Sequence, residues 1–585
     1  MSLEWNKSPL LSFPVAFTVF LGLVVLLVDP FAYHSFTALK NLVFTVGILA
    51  FLLWIVIALK KIELGWMTIL FAIRIVWLAL TNSDWLLHPS NDGFYLSVSL
   101  LGLLIICKNL DQKKFFPFFL WVLLVSGIIQ TCVGVYQLAT YVPNPSIPIK
   151  TPFIGTFGTS NGLGIFMVLS IISGLTLCYK HRNPFLYVLT FTTLLGLLFT
   201  ESRGSLLALF VACSAVLGIL FYQKTQRVFL KKALIGVVAL TTMVAGLFLY
   251  WVDMGSSSGR WMIWEITTLM IEDNPVLGVG HGNYSKEYLN YQAVYFGDES
   301  HIENEIKAAN IKQAHNEFLQ SFAEGGIVSG VLLLIIWILP FFLMFRNSRG
   351  DFSGIELAKL GMISAIVFHS LLDSPLHVLP VAIVGYAVVG SVDKNFIALS
   401  GKYKHGLTFF VSAYLILVSI TKIKAYSGHH FWKEGVEHVR KQQWKLAIND
   451  FENALERLPE KGELLYQMGS AHVFDEQYTR GIYFINKSKE HFNDRNIYLS
   501  ESYALLKLKK YEQAKQSAFT ALSMFPTHLA PHLLLGEIYY YLGDTDQSKT
   551  YLLKCINEEI EIKSIETKQI SEDAKLLWQD LYGTD

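Results

Sequence analysis

Residues 406–459 read GLTFFVSAYLILVSITKIKAYSGHHFWKEGVEHVRKQQWKLAINDFENALERLP, and the character of the chain changes inside them. Up to about Lys424 the sequence is a succession of apolar runs; beyond it charges are dense and long apolar runs cease. Two solvents are implied, a bilayer before this stretch and water after it. The 585 residues are 53% hydrophobic and only 16% charged, with a mean hydropathy of +0.42; soluble domains carry about 25% charged residues. The predicted fold is all-α. A polytopic transmembrane helical bundle of about 12–13 spans covers residues 1–425, an α-solenoid covers 426–560, and a helix or tail covers 561–585. A net charge of +1 gives no case for a nucleic-acid partner.

A run of about 20 apolar residues crosses a bilayer. Thirteen such runs are legible, roughly at 10–29, 41–59, 64–81, 93–107, 115–140, 161–179, 184–200, 204–222, 233–252, 318–345, 355–373, 376–392 and 406–423. The first has one lysine before it and no small-residue cleavage pattern, so it reads as a retained span. Every second loop is basic, from Lys60 and Lys61 through Lys108, Lys113 and Lys114 to Lys394, Lys402 and Lys404. The alternate short loops hold only Lys40, Lys150 and Arg203. Basic loops favour the cytoplasmic side, which places the loop 253–317 and the C-terminal domain outside. An even number of spans would reverse that placement for the C-terminal domain. Of the five cysteines only Cys555 falls in the soluble part, so no disulfide framework or Cys-based metal site is expected there.

The C-terminal part repeats. QQWKLAINDFENALERLP, EQYTRGIYFINKSKEHF, KKYEQAKQSAFTALSMFP and GDTDQSKTYLLKCI align with small residues at Ala447, Gly481, Ala514 and Ser548, spaced by 34, 33 and 34 positions. Pro459 and Pro526 close second helices, and Gly469 and Gly536 supply small positions on first helices. This is the tetratricopeptide period: helix pairs that bury their faces on their neighbours. Such a domain grips a protein partner or serves as an assembly module.

Ionisable residues at the ends of spans are costly and mark candidate sites. Four stretches stand out on the predicted outer face. TESRGSLLALF puts Arg203 in a tight loop, either snorkelling or holding an anion. SSSGRWMIWEITTLMIEDNPVLGVGHGNY reads as a Gly/Ser hinge, then a helix with Arg260, Trp264, Thr267 and Ile271 on one face, then a turn bearing His281. QAHNEFLQSFAEGGIVSG places His315 and Asn316 at a helix start, with Leu319, Phe322 and Gly326 along one face and Glu317 and Glu324 off it. FHSLLDSPLHVLP sets His369, Asp373 and His377 at a tight turn. The i, i+4 spacing lets Asp373 orient the His369 imidazole or, with a third ligand, hold a metal.

Together with GTFGTSNGLGIF (155–166), which contributes Asn161, these stretches resemble the O-antigen ligase-like superfamily of bacterial membrane glycosyltransferases. The family pattern is a histidine, a small polar residue, nine positions and Gly-x-x-Gly. Here His315, Asn316 and Gly326 fit, while the second glycine is displaced from Ser329 to Gly330. The resemblance implies transfer of a glycan from an undecaprenyl pyrophosphate carrier to an acceptor hydroxyl, at the periplasmic face of the bacterial inner membrane. It implies that His315 is the essential histidine and that Arg203 and Arg260 hold the pyrophosphate. Asn161, His281, Asn316, His369 and Asp373 are then supporting residues, and no metal or other cofactor is expected. The acceptor is a protein Ser or Thr, a lipid A-core, or a growing polysaccharide; a periplasmic solenoid favours the protein. A lipid-linked sugar transporter is the non-enzyme alternative, but internal repeats and charges within spans are not evident in the membrane part.

Overall fold

The computed structural model describes residues 13–81, 92–141, 152–224, 254–348, 351–557 and 565–583. The apolar run 233–252, the basic residues Arg227, Lys231, Lys232 and Arg349, and Lys150 lie outside them. The membrane part is built from α1 (Phe13–Leu26), α2 (Ala38–Ala58), α3 (Trp66–Thr81), α4 (Asp92–Asn109), α5 (Gln112–Thr140), α6 (Ser160–His181), α7 (Pro184–Phe199) and α8 (Arg203–Lys224). Two helices, α9 (Met254–Asp273) and α10 (Tyr284–Phe296), form an extramembrane subdomain, and α11 (Glu317–Ser348), α12 (Gly354–His369) and α13 (Leu379–Val392) return to the bundle. The Gly/Ser stretch expected as a hinge is instead the first turns of α9.

Six described helices, α2, α5, α6, α8, α11 and α14 (Gly401–Arg440), are long and apolar enough to cross a bilayer. Five further apolar helices, α1, α3, α4, α7 and α13, are shorter. At 1.5 Å per residue the 14 residues of α13 reach only about 21 Å against a hydrocarbon core of about 30 Å. Apolar runs therefore overstate how many helices meet the full length of a span.

Two faces are tied together by contacts. On one, Ile62–Gly65 (β1) pairs antiparallel with Asn395–Leu399 (β2), the Lys108 ammonium donates to Asp393 O at 2.6 Å, and Lys404 donates to Ile57 O at 3.3 Å. Three of the basic loops thus meet on a single face. On the other face, the starts of α6, α8 and α11 gather around the turn between α12 and α13.

Beyond the bundle come α15 (Trp444–Leu455), α16 (Gly462–Phe474), α17 (Tyr478–Ser488), α18 (Arg495–Lys507), α19 (Tyr511–Met524), α20 (Leu529–Leu542), α21 (Thr545–Asn557) and α22 (Ile565–Tyr582). The end of α14 pairs with α15, and the next six helices pair in order, as the 33–34 residue period requires. The small positions make close packing possible: a Cβ on Gly469 would stand 3.0 Å from Gly481 O. Ser502 Oγ donates to Ala514 O at 2.9 Å, and Ser548 Oγ to Gly536 O at 2.7 Å. No separate linker joins the two parts, because α14 runs unbroken for 40 residues, about 60 Å, from the bundle into the first repeat.

The solenoid leans on the same face as the gathered helix starts. Tyr33, between α1 and α2, stacks on Trp432 at 4.0 Å and donates to Glu463 at 2.7 Å. Gln292 of α10 donates to Met524 O at 2.8 Å, and Asn493 to Lys286 O at 3.0 Å. Met524 and Phe525 complete an apolar cluster with Met262, Ile266 and Tyr288.

Candidate active site

The gathering point is Asp373, in the turn that follows α12. Its Oδ1 lies 3.0 Å from His315 Nδ1 and accepts the Ser374 N–H at 2.8 Å; its Oδ2 accepts from Asn161 at 2.9 Å. Burial pushes the Asp373 carboxyl up, but the His315 bond and the neighbouring histidine charges outweigh it and hold the group below the usual carboxylate range. A carboxylate only accepts, so His315 donates through Nδ1 and its Nε2 is left as the basic atom. About a third of the His315 side chain, 35%, is open to solvent, against 15% for Asp373.

His315 is not inside a helix. It adopts φ +49°, a left-handed conformation, and the next residue caps α11. Asn316 Oδ1 accepts from Phe318 N at 3.1 Å and Leu319 N at 3.0 Å. The turn and the helix start are joined again by Glu317 N donating to Ser370 O at 2.8 Å.

The spacing-based pairing of His369 with Asp373 is not the one formed. Because α12 ends at His369, Asp373 lies beyond the last turn, and its own N–H bonds to His369 O at 2.9 Å. The carboxylate faces His315 instead. His369 is buried, with Nε2 3.2 Å from Ser205 Oγ, which is itself 2.8 Å from Ser202 Oγ. A Cβ on Gly204 would stand 3.6 Å from His369 Nε2, so the first turn of α8, which Arg203 begins, lies against this histidine. Arg260 is close enough for its charge to act on His369. Arg203 is exposed and Arg260 half-buried. Asn161, Arg203, Arg260, His315, Asn316, His369 and Asp373 therefore share one neighbourhood, at the positive ends of α6, α8 and α11.

His281 belongs to a second layer. Its Nδ1 lies 2.6 Å from Glu324 Oε2, and Glu324 Oε1 accepts from Gln320 at 3.0 Å. Gln320 Nε2 also lies 3.3 Å from His377 Nε2, and His377 Nδ1 lies 3.3 Å from Glu317 Oε1. Burial pulls the His377 imidazolium down, but Glu317 and Glu324 outweigh it and push it up to about 9. Glu317 and Glu324, expected off the working face, are buried and carry these histidines.

Two features escaped the sequence reading. Arg74 lies inside α3, buried, with Nε 3.1 Å from Ser329 Oγ and a terminal nitrogen 3.2 Å from Ser321 Oγ. A charge within an apolar run is therefore present after all, and the arginine in FAIRIV was its visible signal. The second is a break in α11 at Gly326, φ +64° and ψ −168°. The segment after α9 fills it: Val279 N and Gly280 N donate to Ala323 O and Glu324 O at 2.9 and 3.0 Å, and Ile327 N donates to Pro275 O at 2.9 Å. A side chain fits at neither contact, since a Cβ on Gly326 would lie 1.9 Å from Val276 O and one on Gly278 2.4 Å from Glu324 C. DNPVLGVGHGNY is thus the strap that closes a broken helix. Among the described residues no group of three or more His, Cys, Asp or Glu is placed to hold a metal ion.

Residues 188–334, which include Arg203, Arg260 and His315, match the family described as O-antigen ligase, and residues 531–559 match a tetratricopeptide repeat. The chain therefore carries a segment similar to the O-antigen ligase family and, near its C-terminus, one similar to a tetratricopeptide repeat. No curated protein matches the chain. The O-antigen ligase match begins after Asn161 and ends before His369 and Asp373. The contacts to Asp373 therefore join His315, inside the matched segment, to residues beyond both of its ends.

Proposed function

We propose that the protein is a periplasm-facing glycosyltransferase of the bacterial inner membrane. It moves an oligosaccharide from undecaprenyl pyrophosphate to an acceptor hydroxyl, with Ser or Thr of an exported protein as the favoured acceptor. The observation that supports this chemistry best is the 3.0 Å His315 Nδ1–Asp373 Oδ1 contact. It fixes the imidazole as the tautomer whose Nε2 takes a proton.

In the proposed step the acceptor oxygen attacks the anomeric carbon as its proton passes to His315 Nε2. The bond from that carbon to the phosphate oxygen breaks on the opposite face, and the electron pair leaves with the diphosphate, inverting the anomeric centre. The Asp373 carboxylate stabilises the imidazolium that forms, and a base so placed contributes about 10²–10⁴-fold. Arg203 and Arg260 bear the growing charge of the diphosphate, assisted by the positive ends of three helices. The protein acceptor is favoured because the solenoid leans on the face where His315 lies. The matched family's own description favours a second reading, attachment of O-antigen to a lipid A-core.

His315→Ala, expressed where the donor is made, tests the reading. Lipid-linked glycan should accumulate while glycosylated product disappears. Undiminished product from the correctly inserted variant would remove His315 from the reaction. The linkage of the wild-type product, to Ser or Thr or to a lipid core, decides between the two acceptors.

A further inference from the structure

The residue before His315 is held by both of its main-chain polar groups. Ala314 is fully buried and belongs to the apolar cluster of Met262, Ile263 and Ile266 on α9. Its N–H donates to Gln320 Oε1 at 3.1 Å, and its C=O accepts from the Trp264 indole N–H at 2.9 Å. Gln320 is buried in the first turn of α11 and donates in turn to Glu324 at 3.0 Å.

On the other side of His315, Asn316 caps α11, and Glu317 N–H is tied to Ser370 O at 2.8 Å. His315 thus lies between two anchored stretches of main chain. Its φ of +49° is uncommon for a residue with a side chain, and such a conformation persists only where the surroundings impose it. Trp264 supplies part of that constraint from a different element. It stands four residues from Arg260, about 6 Å along the axis, on the same face of α9. The apolar contacts of Met262 and Ile266 press α9 against this region but have no direction. The indole hydrogen bond does, and an indole N–H can only donate.

We propose that Trp264 is a positioning residue for glycan transfer, its N–H fixing the register between the Arg260-bearing helix and the main chain that carries His315. The inference rests on the assignment of His315 as the base in the proposed reaction, and it holds for either acceptor. Without the bond, the peptide between Ala314 and His315 is free to rotate, and Nε2 shifts relative to the acceptor oxygen. A misplacement of about 1 Å at a reacting group costs up to about 10²-fold. Donor binding is assigned to the guanidinium groups of Arg203 and Arg260 and does not pass through this peptide.

The test uses the full-length protein in proteoliposomes with extracted lipid-linked glycan, at matched amounts of folded protein. Trp264→Phe keeps a ring and deletes the donor. Benzothienylalanine at the same position keeps the shape of indole with sulfur in place of the N–H, and replaces the Phe variant should the smaller ring impair folding. Either change should lower kcat about ten- to a hundredfold and leave the donor KM within about twofold. Added to His315→Ala, it should reduce the residual transfer no further, whereas a merely structural loss would act in both backgrounds. A kcat within about twofold of wild type, a raised KM with kcat retained, or an equal further loss in His315→Ala would overturn the inference. Full transfer by His315→Ala alone refutes the parent reading; an inactive His315→Ala beside an unimpaired Trp264→Phe overturns only this one.

Discussion

Asp373→Asn is the most informative single change. It is nearly isosteric, so the 2.8 Å bond from Ser374 N–H to Oδ1 can persist. What changes is the other oxygen. An amide nitrogen there would face the Asn161 amide, which now donates at 2.9 Å, and Asn161 can flip its own amide to accept. The neutral tautomer of His315 is therefore retained, and the loss is the negative charge opposite the imidazolium that forms during transfer. A hydrogen bond to a charged group contributes about 1.5–3 kcal/mol, so transfer should fall about 10- to 150-fold. His315→Ala should fall further, toward the full 10²–10⁴-fold of a lost general base, and adding Asp373→Asn to it should cost nothing more. The assay is product formation in proteoliposomes supplied with extracted lipid-linked glycan, at matched amounts of folded protein. Activity within threefold of wild type in Asp373→Asn, or a double variant well below His315→Ala, would refute the idea that Asp373 works through His315.

Gly326→Ala combines a positive φ with a Cβ 1.9 Å from Val276 O, so it should destabilise the protein by about 2–5 kcal/mol and lower the Tm of the purified protein; an unchanged Tm would mean that the strap does not seat in the break. His377 is held at about 9, above its ordinary 6.5, so its contribution is complete below about pH 6.5 and is lost as pH rises through 9. The whole shift corresponds to about 3 kcal/mol, and screening at a side chain one-third exposed reduces this to about 1–2 kcal/mol. Tm should therefore decline between pH 7 and 10, and the decline should vanish in His377→Gln. Arg203→Lys keeps the charge but cannot fork onto two phosphate oxygens, so the apparent affinity for donor should weaken about tenfold; wild-type affinity would exclude Arg203 from the diphosphate.

Much of the architecture could be read in advance because it is periodic. The 33–34 residue step from Ala447 to Ser548 identified the solenoid, since small residues must recur wherever paired helices touch. Span length was less legible: α13 is as apolar as the longer helices but ends after 14 residues, and hydropathy does not record where a helix stops. At the site, the residue types were visible but their pairing was not. His369 and Asp373 satisfy the i, i+4 rule only while the helix continues, and α12 stops at His369. Asp373 pairs with residues 58 and 212 positions away, which no local rule reaches. Glu317 and Glu324 lie off the face of Leu319, Phe322 and Gly326, and the histidines they hold, His377 and His281, come from other loops, out of reach of any local rule.

The unbroken α14 constrains how the solenoid can be moved relative to the bundle. A rigid rod that enters the solenoid without a joint fixes both the height and the azimuth of the repeats above the bilayer. Each residue added near Lys424 would lift the solenoid 1.5 Å and swing it about 100°, tearing Tyr33 from Trp432 and α10 from Met524. Insertions of about seven, eleven or eighteen residues come within about 20° of whole turns and restore the bearing, and they raise the platform by about 10, 16 and 27 Å. Lineages can therefore exchange whole repeats at the far end freely, while the root of the rod is confined to a few discrete lengths.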